Sequence, residues 1–128
     1  MNRHQAREFA FKILFQMDVS DTELEDAMQH ALEEEEASDF CLQLIQGVLE
    51  HQAEIDVVIT KHLKNWTIDR MANVDRTILR ISLFELLYVE EIPFAVSINE
   101  AVELAKIYGD DEASKFVNGL LSNASKEI

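Results

Sequence analysis

Apolar residues recur along this chain every three to four positions in almost every segment, the spacing that places side chains on one face of an α-helix. In the opening segment Phe9, Ile13 and Met17 form one row and Ala10, Leu14 and Met17 a second. Ser20 and Glu23 fit a capping box for a second helix over 21–37, with Leu24, Met28, Ala31 and Leu32 as its stripe. The run Glu33–Glu36 falls at the far end, where the helix dipole disfavours anions, so fraying is expected there. Ser38 or Asp39 caps a long third helix reaching Leu63, striped by Phe40, Leu44, Val48, Ile55, Ile59 and Leu63. Gly47 within it weakens the helix but allows a neighbour to approach closely. Thr67–Met71 reads as a short helical turn.

Two stripes coexist over Asn73–Glu90: Val74, Ile78, Ile81 and Tyr88, and then Leu79, Leu83 and Leu86. A helix apolar on most sides is buried among others, so this one is expected at the centre. Pro93 ends it, and the following IPFAVSI is expected as a loop, because no second strand exists to pair with it. Ser97 and Glu100 form a second capping box for a helix to Tyr108, with Gly109 as a left-handed terminator. The last helix is expected over 112–125, with Phe116, Val117, Leu120 and Leu121 inward. The expectation is an all-α, compact bundle of about six or seven helices with short connections.

Composition narrows the function. Three Gly and one Pro among 128 residues leave too few turn residues for a many-stranded barrel, and one cysteine excludes an internal disulfide. No apolar run is long enough to span a membrane, and no secretory signal opens the chain, so a cytoplasmic protein is expected. The formal net charge of −14 repels polyanions at long range. The charge is uneven, however. Residues 1–17 are net positive through Arg3, Arg7 and Lys12, whereas no Lys or Arg occurs between Ile13 and Thr60. Screening over about 8 Å allows such a local basic end to meet phosphate.

Enzymatic chemistry finds no support. The glycines are isolated, so there is no phosphate loop, and no zinc spacing is present. His51 and His62, three turns apart on one helix, cannot share a metal and are expected exposed, and Cys41 is expected to pack as a small apolar group. No metal or cofactor is expected. Arg76 and Arg80 share a helix face and are expected to pair within the chain, with Asp75, Glu85 or nearby acids. Phe11 and Phe15, four apart and off the first apolar row, make either a wider core stripe or a partner surface with at least one ring exposed.

The segment IPFAVSINEAVELAKIYGDDEASKFVNGLL, preceded by VDRTILRISLFELLY and AREFAFKILFQMD in the same order, resembles the NusB family of bacterial transcription antitermination factors over essentially the whole chain. The resemblance implies two packed helical subdomains, about 1–65 and 66–128. It implies a non-enzymatic adaptor that pairs with NusE, a small-subunit ribosomal protein, on boxA RNA of nascent ribosomal transcripts. The pair would then help load an antitermination complex on RNA polymerase. By that likeness Arg3, Arg7 and Lys12 match the RNA-binding opening, and Lys115, Phe116 and Asn118 match a segment associated with RNA. Phe116 fits either base stacking or core packing. Phe15, Asp75 and Arg80 match the NusE surface, and Glu112 an acidic position tied to function. The alternative is an acidic helical protein-binding adaptor without significant RNA binding of its own.

Overall fold

A computed structural model describes all residues, Met1–Ile128. Six α-helices and one 3₁₀ turn follow in order, with no strand. They are α1 (Arg3–Ser20), α2 (Leu24–Leu32), α3 (Asp39–Lys61), the turn Ile68–Arg70, α4 (Asn73–Tyr88), α5 (Phe94–Tyr108) and α6 (Ala113–Ser125). The all-helical bundle is therefore as the periodicity requires. No helix is long and apolar enough to cross a membrane.

α4 is the axis of the bundle. It packs on α1, α3, α5 and α6. Nine of its 16 residues are buried, including Ile78, Leu79, Ile81, Leu83 and Leu86 from both stripes. One hydrophobic core of 29 buried residues runs through all six helices. Cys41 lies in it, and burial pushes its thiol up to about 11, which keeps it protonated as a small apolar group.

Several local expectations are corrected. Ser20 does not cap α2. It is the last residue of α1, and Asp21 turns the chain in the left-handed region at φ 50°. Glu23 occupies the N-cap of α2 without a side-chain bond, and the helix ends at Leu32, short of Ala37, in line with the loss of helix expected over Glu33–Glu36. The exposed glutamates Glu33–Glu36 thus lie beyond the helix. Ser38 does cap α3, accepting from the Cys41 N–H at 3.2 Å.

The IPFAVSI loop is largely helical. Pro93 stands at the N-cap of α5, where its missing N–H costs nothing, and its carbonyl accepts from Val96 and Ser97. Ser97 is therefore inside the helix and buried, not a cap. Gly109 is extended (φ −92°, ψ 179°) rather than left-handed. What requires glycine there is space: a Cβ would lie 2.8 Å from the Ala105 carbonyl oxygen and 2.4 Å from the Ala113 Cβ.

Gly47 shows the same constraint where α3 meets α4. A Cβ at this position would fall 2.1 Å from the buried Phe84 ring. Phe84 is held in turn by His51 and Tyr88, whose rings stack at 4.1 Å. His51 is accordingly half-buried in an aromatic stack, and His62 pairs with Glu127 at 2.9 Å, so neither is a free surface histidine. Gly47→Ala should destabilise the fold by about 1–2 kcal/mol, because overpacking outweighs alanine's better helix propensity. In α6, Gly119 has nothing within 4 Å of its would-be Cβ, so Gly119→Ala should stabilise by up to about 1 kcal/mol. Urea denaturation of both variants measures this pair of opposite signs.

Candidate nucleic-acid and protein interface

The basic end of α1 splits into surface and core. Arg3 is exposed, with its guanidinium 4.9 Å from the Phe40 ring centroid, and Lys12 is exposed over the Phe9 ring at 5.6 Å. Asn2 caps the helix in a full capping box with Gln5. His4 Nδ1 donates to the Glu100 carboxylate at 2.8 Å, and that hydrogen bond, with the carboxylate's charge, raises the imidazole above its ordinary value. Positive charge at this end thus persists to higher pH than an isolated histidine would give.

Arg7 is corrected as a phosphate contact. Its side chain points into the core and the residue is 3% exposed. Nε donates to Glu85 Oε2 at 2.9 Å and Nη2 to Oε1 at 2.8 Å, the two-pronged geometry of a strong guanidinium–carboxylate pair. Ser97 of α5 donates a further bond to Glu85 Oε1 at 2.8 Å. Glu100 lies 3.8 Å from the Arg7 guanidinium and joins it to His4. Three helices, α1, α4 and α5, thereby meet at one carboxylate. Sequence reading missed Glu85, Ser97 and Glu100 in this role. A signal was available: Arg7 is in the apolar row Arg7–Phe11–Leu14, and Glu85 follows Ile81 by one turn on the buried helix.

On α6, Lys115 and Asn118 are exposed and three residues apart, so they share a face. Phe116 is half-buried and does not point fully inward with Val117, Leu120 and Leu121. α1 and α6 both pack against α4 and α5.

The residues expected to face a protein partner fall into three places. Phe15 is half-buried and stacks on Phe11 at 5.6 Å, and Phe11 in turn packs on Tyr108 at 4.8 Å. Phe11 itself is buried, so the wider core stripe describes it, and Phe15 alone presents a ring edge. These rings, with Val19 and Val74, line a mainly apolar groove of about 530 Å³. The Tyr108 hydroxyl donates to Glu8 at 3.0 Å. Burial and that carboxylate push it up to about 12. Asp75, adjacent to Val74, faces the next depression, a cleft of about 260 Å³ shared with Glu112 and Phe116. Arg80 is on another flank. It chelates Asp56 at 2.9 and 2.8 Å and reaches Asp18 at 3.6 Å, while Arg76 takes Asp18 at 2.7 Å. The shared face of the two arginines is real, but their partners are Asp18 and Asp56, not Asp75 or Glu85.

A helical bundle with exposed cations on α1 and α6 and an apolar groove presents surface on which macromolecules can dock. The NusB family model matches residues 4–126, and the chain belongs to the NusB family. It is 56% identical over 128 residues to the transcription antitermination protein NusB of Bacillus subtilis, covering all of this chain and 98% of that protein. The Listeria innocua protein of the same name is 43% identical over 127 residues, 99% of this chain and 98% of its own length. Among solved structures, T. maritima NusB superposes with a TM-score of 0.91 at 37% identity, over 99% of this chain and 92% of that one. A NusB solved in complex with NusE and double-stranded RNA superposes with a TM-score of 0.87 at 32% identity, over the full length of both chains.

Removing one partner of the Arg7–Glu85 pair leaves an uncompensated buried charge, at a cost of about 3–5 kcal/mol. Arg7→Ala should therefore lower stability by that order in urea denaturation. Arg7→Met with Glu85→Leu should recover most of it, since an apolar pair of similar volume carries no such charge. A fully stable Arg7→Ala variant with lost RNA affinity would instead return Arg7 to the RNA surface.

Proposed function

We propose that this chain is an RNA-binding transcription antitermination factor that pairs with NusE on boxA RNA of nascent ribosomal transcripts and helps assemble an antitermination complex on RNA polymerase. The observation that carries this reading is the full-length likeness to a NusB solved with both NusE and double-stranded RNA. The placement of residues supports it. Arg3 and Lys12 are exposed on α1, Lys115 and Asn118 on α6, and the Phe15 groove offers apolar surface for a protein. Division of labour follows from charge. A body of net charge −14 favours a basic protein partner, and RNA is then held by the exposed cations Arg3, Lys12 and Lys115 together with that partner.

Burial of Arg7 favours a second reading, a protein-binding adaptor without significant RNA affinity of its own, because it removes one of three cations from the opening segment. Gel shifts of boxA-type RNA with and without NusE separate the two readings. RNA retention that depends on this chain supports the first, and NusE binding with no effect on RNA supports the second.

Two outcomes are expected. Phe15→Asp places a charge in the apolar groove and should weaken NusE binding by about 2 kcal/mol or more in calorimetry, without unfolding the half-exposed site. Arg3→Ala should lower the salt slope of RNA affinity for the NusE-bound protein by about 0.7, the share of one phosphate contact on a single strand. A salt series on the ternary complex reads it, and an unchanged slope would remove Arg3 from the RNA grip.

A further inference from the structure

Arg3 is a cation in an unfavourable place. It is the first residue of α1, where the helix dipole presents its positive end, and the first turn holds no acidic residue to offset it. It makes no ion pair either, although the chain carries 25 Asp and Glu residues. What its guanidinium meets is a ring, with the Phe40 centroid 4.9 Å away. Lys12 also sits over a ring, but Phe9 belongs to the same helix, whereas Phe40 comes from α3. Phe40 is itself held from several directions. It is half-buried and packs against the core. Ser38, accepting from the Cys41 N–H, fixes the turn of α3 on which it stands. The Arg7 guanidinium lies 5.2 Å from the same ring, and Arg7 is locked by Glu85.

From this series of contacts we infer that Phe40 is a positioning residue for RNA. Its ring holds the Arg3 guanidinium in the posture that receives a phosphate, an assignment that rests on the RNA binding proposed above. A ring and a carboxylate differ sharply in this role. A carboxylate would also hold Arg3, but it would occupy the N–H edge of the guanidinium and cancel its charge. A ring face attracts the cation through its quadrupole and consumes neither. The N–H donors in the guanidinium plane stay available for phosphate oxygens. Holding a long side chain beforehand also removes part of the rotamer entropy otherwise lost on binding. The buried ion pair thereby reaches the surface: Glu85 fixes Arg7, Arg7 and the core fix Phe40, and Phe40 holds Arg3.

Two measurements test this. In proton NMR of the free protein, the Arg3 δ-methylene protons should resonate upfield of an unstructured arginine through the Phe40 ring current, and Phe40→Leu should abolish the shift. In gel shifts of boxA-type RNA with the NusE-bound protein, Phe40→Leu should weaken RNA binding about two- to fivefold, the share of one exposed cation–ring contact. Phe40→Tyr keeps the ring and should hold RNA as the wild type does. NusE affinity should be unchanged in both variants, which separates loss of posture from loss of fold. With Arg3→Ala already present, Phe40→Leu should weaken RNA binding no further, because the two residues act as one unit. Equal weakening with and without Arg3 would overturn the inference and make Phe40 an RNA contact or a fold residue in its own right. No upfield shift in the wild type, or wild-type RNA affinity in Phe40→Leu, would overturn it as well. Failure of the wild-type protein with NusE to hold RNA would overturn the RNA reading and the inference with it, while the ring-current shift, which needs no RNA, would survive.

Discussion

The buried carboxylate of Glu85 is the point on which the assembly of this bundle turns. Ionised in the core, it would cost several kcal/mol in desolvation if left alone. It is satisfied only when α1 delivers the Arg7 guanidinium and α5 delivers the Ser97 hydroxyl. Apolar packing is tolerant of small slips between helices, but a two-pronged ion pair is not. The pair therefore fixes how the first helix and the fifth sit on the fourth. Every surface feature built from α1 and α5 together, including the Phe15–Tyr108 groove and the His4–Glu100 contact, inherits that register.

This constraint also shapes the charge of the surface. An arginine that reads as part of a basic opening is drawn inward, which leaves Arg3 and Lys12 as the exposed cations of α1. The acidic character of the rest is not uniform either. Asp18 and Asp56 are neutralised by Arg76 and Arg80 on one flank, whereas Asp75, Asp110 and Glu112, in a cleft that Arg70 also lines, form no ion pair. Net charge describes the long-range field. Which carboxylates remain available to a partner depends on where the few arginines are held.

Close backbone approach is the second architectural device. Gly47 lets the Phe84 ring lie directly on α3, and Gly109 lets the chain leave α5 against its own last turn and turn into α6. In both cases the missing Cβ matters for space, not for a left-handed backbone. The one left-handed turn after a helix is made by Asp21, a residue whose short polar side chain tolerates that region.

By itself the sequence determined the helical class, the order of the elements, the central place of α4 and a cap at Ser38 or Asp39, because these follow from periodicity and from local hydrogen bonding within a few residues. The likeness of its motifs further indicated the family. It misplaced the starts of α2 and α5 because Ser20–Glu23 and Ser97–Glu100 satisfy a local capping rule that tertiary context overrides. The Ser97 hydroxyl bonds more favourably to a buried carboxylate than to its own helix end, and Pro93 already sets that end. Only the tertiary structure decided that Arg7 is a core residue, that Arg80 and Asp75 face different flanks, and that Phe116 shares a cleft with Trp66 and three carboxylates. These outcomes depend on which side chains from distant segments meet. Residues such as Arg7 and Glu85, 78 positions apart, carry no mark in a single chain of which one neutralises the other.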